Sequence, residues 1–150
     1  MPSTYTQNYY HAVFSTKHRA PLITPELEER LYPFIGGILR DLRCTLLAIN
    51  GIADHIHVLV RYRADLSHAE MLKFIKGRSS RWVDEELPQY SPFAWQEGYG
   101  GFTVSKSAVS DVERYIERQK ERHKRQDFKQ ELMELLRLHE IEFEEGALFA

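Results

Sequence analysis

The run Asp54-His55-Ile56-His57-Val58-Leu59-Val60 constrains this chain more than any other segment. Side chains alternate along a β-strand, so here Ile56, Val58 and Val60 share one face while His55 and His57 share the other. The aliphatic face demands a core, and the histidine face is open to two readings: a half-exposed pair, each ring hydrogen-bonded or solvated, or a pair of metal ligands. Two residues along a strand span roughly 6.5–7 Å. Two imidazoles based there can converge on one divalent cation, provided a third ligand approaches from elsewhere. Asp54 is open to three roles: orienting His55, ligating beside it, or capping the turn.

A chain of 150 residues is long enough for one domain with a sizeable core. At 43% hydrophobic and 28% charged residues, wholesale disorder is excluded. No apolar run approaches the roughly 20 residues that span a bilayer, and the start lacks a signal-peptide core. The single cysteine, Cys44, excludes an internal disulfide and a multi-cysteine zinc site, and suits a reducing cytoplasm.

Local patterns supply the other elements. Residues 5–15 are rich in aromatic and β-branched residues and read as a first strand. Thr24-Pro25 starts a helix to about Arg43, with Leu27, Leu31, Ile35, Ile38 and Leu42 as its apolar stripe and Gly36-Gly37 marking a bend or close packing. Residues 44–49 and 54–62 flank Asn50-Gly51, a strong hairpin signal, although the loop extends to Ala53. Ser67 with Glu70 opens a helix over about 67–86, which Pro88 and Pro92 close. Residues 93–106 read as a strand or hairpin. Ser110 with Glu113 opens a helix to about Lys124. A last helix, about 128–140, buries Phe128, Leu132, Leu135 and Leu136. The order β-α-β-β-α-β-α-α predicts an α+β fold: an antiparallel sheet with helices packed on one face, ferredoxin-like or RRM-like, plus C-terminal helices. We expect a single domain over 1–150, with a core of about 8–126 and a helical extension of about 127–150.

The net charge of −2 argues, taken alone, against a nucleic-acid binder. Its distribution argues otherwise. From Arg61 to Arg81 six basic residues face two acids, and from Arg114 to Gln126 six again face two, while seven acids face two basic residues from Asp127 to Glu145. Lys73, Lys76, Arg78 and Arg81 recur at roughly helical spacing and are open to two roles: a solvated helix face, or phosphate contacts with Gly77 allowing close approach. Trp82, Trp95, Tyr99 and Phe102 are open to stacking on bases, although the core is the commoner fate of such residues.

Tyr115 and Gln119 stand four residues apart, on one face of a helix, beside the apolar stripe of Val109, Val112 and Ile116. Tyr115 is open to a core-edge role or to acting as a nucleophile. A phenol of pKa about 10 needs help at neutral pH, which a nearby metal and the basic run would give. Gln119 offers a neutral oxygen ligand, and His123, one turn on, competes with it.

Several ordered motifs resemble one family. They are Tyr10-His11-Ala12-Val13-Phe14-Ser15-Thr16-Lys17, Asn50-Gly51-Ile52-Ala53-Asp54-His55-Ile56-His57, Leu72-Lys73-Phe74-Ile75-Lys76-Gly77-Arg78-Ser79-Ser80, Trp95-Gln96-Glu97-Gly98-Tyr99 and Tyr115-Ile116-Glu117-Arg118-Gln119. Over about residues 8–140 the chain resembles the single-tyrosine HUH (His-hydrophobic-His) transposases of the insertion-sequence 200/605 family, and is similar to those associated with repetitive extragenic palindromes (REP). The resemblance implies that His55, His57 and Gln119 hold Mg²⁺ or Mn²⁺ and that Tyr115 is the nucleophile. It implies cleavage and rejoining of single-stranded DNA through a 5′-phosphotyrosine, recognition of hairpin DNA, and a cytoplasmic, bacterial, nucleoid-associated protein. It further implies a homodimer in which Tyr115 can act in trans. Lys73, Lys76, Arg78, Arg81, Arg118 and Arg122 would bind DNA. One departure is that related sequences often carry two consecutive histidines after the glutamine, where this chain has Arg122-His123. Two other readings stay open: a non-catalytic nucleic-acid-binding domain, and a metal-dependent phosphoesterase using water.

Overall fold

The His-x-His strand becomes β3, His55–Tyr62, in the middle of a four-stranded sheet. The computed structural model describes residues 3–148. β3 pairs antiparallel with β1 (Asn8–Ser15) on one side and with β2 (Thr45–Ile52) on the other, and β1 also pairs antiparallel with β4 (Gly100–Val104). The resulting order, β2-β3-β1-β4, is that of the ferredoxin-like α+β arrangement.

One sheet face is aliphatic, as the alternation requires. Ile56, Val58 and Val60 join Ala12 and Phe14 of β1 in the main core. Against them lie α1 (Pro25–Asp41), through Leu27, Leu31, Ile35 and Leu39, and α2 (His68–Glu86), through Met71, Leu72, Ile75 and Val83. Each large aliphatic side chain fully buried this way is stabilising by about 1.5–3 kcal/mol. Both helices start where their caps dictate: Thr24 Oγ1 accepts from the Leu27 N–H at 3.1 Å, and Ser67 Oγ from the Glu70 N–H at 3.1 Å.

The other face is covered by the C-terminal helices. Tyr9 and Leu59 meet Val109 and Ile116 of α3 (Val109–Glu117), while Val13 and Phe102 meet Phe128, Leu132 and Leu136 of α5 (Phe128–Leu138). Asp127 and Gln130 close a capping box at the start of α5.

Three local expectations are corrected. Asn50-Gly51 does not form the hairpin turn. It lies inside β2, and Ala53-Asp54 makes the turn between paired Ile52 and His55. Asn50 instead donates through Nδ2 to the carbonyls of Ile116 and Glu117, at 3.1 Å each, and so satisfies the end of α3. Gly51 lets two backbones close in: a Cβ there would stand 2.0 Å from the His55 carbonyl oxygen. The helix expected from Ser110 begins at Val109 with no side-chain cap, and it breaks at Arg118 (φ −92°, ψ 13°) into α3 and α4 (Gln119–Arg122). The first strand starts at Asn8, leaving Tyr5 exposed.

Candidate active site

β3 delivers His55 and His57, both fully buried, to the sheet face that α3, α4 and α5 cover. Phe128, the first residue of α5, stacks on the His55 ring with centroids 4.1 Å apart. One turn further along α5, Glu131 enters the same space, with 1% of its surface exposed. Its Oε1 lies 3.0 Å from His57 Nε2, 3.0 Å from His123 Nε2 and 3.3 Å from His55 Nε2. Its Oε2 accepts from Gln119 Nε2 at 2.7 Å and from the Tyr115 hydroxyl. Gln119 Oε1 is thereby turned towards the imidazoles, 3.0 Å from His55 Nε2 and 3.0 Å from His123 Nε2.

The outer hydrogen bonds dictate what this cluster can hold. His55 Nδ1 is 2.8 Å from Asp54 Oδ1, and His123 Nδ1 is 2.6 Å from the Gln126 carbonyl oxygen. Opposite those acceptors each Nδ1 must carry its proton. In a neutral ring the Nε2 lone pair then faces Glu131 Oε1 and Gln119 Oε1. Lone pairs pressed against oxygens at about 3 Å repel unless positive charge lies among them, supplied by ring protons or by a cation. Ligands bonded at about 2.1 Å to one ion stand about 3.0–3.4 Å apart, the spacing found. Among the described residues, His55, His57 and Glu131 form a group of three metal-ligating side chains whose ligand atoms meet within 4.8 Å. This buried, mixed nitrogen and oxygen set fits a divalent cation, with Gln119 and His123 both within reach.

Burial pushes His57 down to about 4, against the pull of Glu131, which keeps its ring neutral and able to ligate near neutral pH. Burial disfavours charge on His55 too, but hydrogen bonds to Asp54 and Glu131 outweigh it and raise its pKa. Glu131 is likewise buried, yet hydrogen bonds from His123, His55 and His57 hold its carboxyl far below the usual range. Tyr115 is pushed up by burial and then by the Glu131 charge, so at rest it is a protonated phenol. Arg122 opposes this, with its guanidinium carbon 4.6 Å from the Tyr115 ring centroid.

The structure thus brings His55, His57, Gln119 and Tyr115 together, and His123 with them. Two residues of the cluster were missed by sequence reasoning. Glu131 had been counted with the acidic end; its signal was a carboxylate on the buried stripe of α5, three residues after Phe128 and one before Leu132. His11, buried on β1, lies with its Nε2 2.8 Å from His57 Nδ1. It alternates with Tyr9 and Val13 on the face that carries the histidines of β3.

The basic residues divide. Arg118 and Arg122 line a groove with Glu121, Arg125 and Gln126 beside the cluster. Lys73, Arg78 and Arg81 line another, with Phe74 and Gly77, on α2. Because α2 packs on the opposite sheet face, the first groove adjoins the histidines and the second does not. Lys76 is engaged elsewhere: its Nζ donates to the carbonyls of Gln96, Glu97 and Gly98, and burial lowers its pKa to about 8. Trp95 and Phe102 are buried, Trp95 donating to Ser79 Oγ at 2.9 Å, and Trp82 stacks on Phe34. Tyr99 remains the most exposed of the four aromatics.

Residues 4–119 match the family described as Transposase IS200 like. The chain belongs to this family. Among its relatives, the ISDra2 transposase TnpA of Deinococcus radiodurans is 24% identical over 115 residues, covering 73% of this chain and 82% of the relative. The transposase for insertion sequence element IS200 of Salmonella typhimurium is 29% identical over 124 residues, covering 77% and 78%. In fold, this IS200-like transposase matches the REP-associated tyrosine transposase bound to a REP hairpin, with a TM-score of 0.61 at 15% identity over 82% of this chain and 73% of that one. The family match ends at Gln119, so α5 and Glu131 lie beyond it. Among the described residues of this transposase, no helix is long and apolar enough to cross a membrane.

Proposed function

We propose that this IS200-like transposase cleaves and rejoins single-stranded DNA beside a hairpin, with Tyr115 as nucleophile. The observation that carries the reading is the convergence on one buried carboxylate, Glu131, of the Tyr115 hydroxyl, both histidines of the His-x-His strand and Gln119. The likeness to a fold solved on a REP hairpin supports DNA hairpins as the substrate class.

His55, His57 and Glu131, with Gln119 and His123, would hold Mg²⁺ or Mn²⁺. When bound, the ion supplies positive charge that polarises a phosphate oxygen and favours the phenolate. The chain's own residues do the rest. Glu131 Oε2 orients the Tyr115 hydroxyl by accepting its hydrogen bond, the phenolic proton leaves to water, and Arg122 over the ring stabilises the developing phenolate. The phenolate oxygen forms a bond to phosphorus. The bond from phosphorus to the 3′ oxygen breaks, and that oxygen leaves as a hydroxyl after taking a proton from water. A 5′-phosphotyrosine remains, and attack on it by a second 3′-hydroxyl rejoins strands without ATP. Arg118, Arg122 and Arg125 hold phosphates next to the reacting bond. Lys73, Arg78 and Arg81 engage DNA on the far side of the sheet, where a hairpin stem would lie.

In this reading residues 1–150 act as one unit, because the helical extension supplies Glu131. Tyr115 reaches the histidines of its own chain, so each copy in a homodimer carries a complete site and works in cis. The test is to incubate the protein with a library of hairpin-bearing single strands and Mn²⁺ and to resolve the products under denaturing conditions. A covalent protein–DNA band is expected, absent in Tyr115→Phe although hairpin binding persists, and absent in His57→Ala. Freely released products that survive Tyr115→Phe would instead establish a water-using phosphoesterase. Binding with no cleavage by the wild type would establish a purely DNA-binding domain.

A further inference from the structure

We propose that His11 is a positioning residue that fixes His57 as a metal ligand by accepting a hydrogen bond from its Nδ1–H. This inference rests on the metal-site reading above. Each of the three clustered imidazoles has an outer partner for its second nitrogen. For His55 it is the Asp54 carboxylate, for His123 the Gln126 carbonyl, and for His57 it is His11 Nε2, at 2.8 Å. The first two partners are pure acceptors and dictate the tautomer. The third is an imidazole, which either donates or accepts.

If His11 donates, His57 carries its proton on Nε2 and spends it on Glu131 Oε1, 3.0 Å away. The ring then has no lone pair for an ion. If His11 accepts, His57 holds its proton on Nδ1 and Nε2 is free to ligate. Metal-bound histidines are commonly oriented through such an outer hydrogen bond, whose loss costs about 10–100-fold in affinity. The fold holds His11 in place for this purpose. It sits on β1, whose Val13 pairs with His57 across the ladder, and its ring packs on His57 at 5.1 Å and on Phe102 at 5.7 Å between centroids.

The experiment is calorimetric titration of the full chain with Mn²⁺, alongside metal-free thermal melts, for wild type, His11→Phe, His11→Gln and His57→Ala. His11→Phe fills the space without an acceptor and is expected to weaken Mn²⁺ binding 10- to 100-fold. His11→Gln, whose amide oxygen can accept, is expected to stay within about threefold of wild type. Wild-type affinity in His11→Phe, or equal weakening in both variants at unchanged stability, overturns the inference while leaving the metal site standing. A wild type that takes up no Mn²⁺, or one matched by His57→Ala, overturns the metal reading and this inference with it. Nitrogen-15 spectra of Mg²⁺-loaded wild type give a readout that needs no variant. His57 protonated on Nδ1 and His11 unprotonated on Nε2 are expected, and the reverse pattern overturns the proposal.

Discussion

Replacing Gly51 by alanine should damage both the fold and the site, and the cost follows from one distance. The new Cβ would stand 2.0 Å from the His55 carbonyl oxygen, 2.8 Å from Ile56 Cα and 2.9 Å from the His55 carbonyl carbon. All three are backbone atoms, so no side chain can rotate away. To reach even a 3.0 Å contact, β2 and β3 must part by about 1 Å at the point where Gly51 pairs with Ile56 and Ile52 with His55. Asn50, fastened to the end of α3, resists that movement. Overpacking typically costs about 1–3 kcal/mol, and a clash wholly within backbone belongs at the top of that range. At about 2–4 °C per kcal/mol for a chain of this size, the melting temperature should fall by about 6–12 °C. The displaced residue is His55, so Mn²⁺ affinity should fall as well. Thermal melting followed by circular dichroism, with metal titration of the folded variant, measures both. An alanine variant melting within about 2 °C of wild type, with undiminished Mn²⁺ affinity, would show that the strands part there at no cost.

Other outcomes follow from the same geometry. Gly77→Ala, with nothing within 4 Å of the added Cβ, should gain about 1 kcal/mol from helix propensity and raise the melting temperature by about 2–4 °C; a drop would show that Gly77 packs more tightly than described. Glu131→Gln removes the charge shared by three imidazoles and should weaken Mn²⁺ binding at least about tenfold, or about 1.4 kcal/mol, with loss of covalent adduct; unchanged affinity by calorimetry would remove Glu131 from the site. Arg118→Ala should weaken hairpin binding evenly across sequences and lower the slope of log affinity against log salt by about 0.7–0.9; an unchanged slope would place Arg118 off the phosphate path.

How much was legible in the sequence depended on the range of the interaction. The alternation of β3 located its two faces correctly, because strand periodicity is a local property. Thr24 and Ser67 likewise capped their helices as read. Asn50-Gly51 misled for a physical reason. The residues that favour tight turns also suit an amide that caps a distant helix end and a backbone approached closely by its neighbour. Tyr115 and Gln119 were linked through one helical turn. The helix breaks between them, yet both meet at Glu131. That carboxylate was hidden by its neighbourhood, for seven acids follow Gln126 and charge counting treats them alike, while only the packing of Phe128 and Leu132 places this one inside. The two basic runs count alike as charge in the sequence, and the sheet separates them in space.

If Tyr115 carries the DNA, the covalent adduct itself will show it. Wild-type protein reacted with hairpin-bearing single strands and Mn²⁺ should be digested with nuclease and trypsin, and the modified peptide sequenced by mass spectrometry. A nucleotide phosphate on Tyr115 is expected, with a free 3′-hydroxyl on the released strand. A nucleotide attached to any other residue, or cleavage that leaves every tyrosine unmodified, would contradict it.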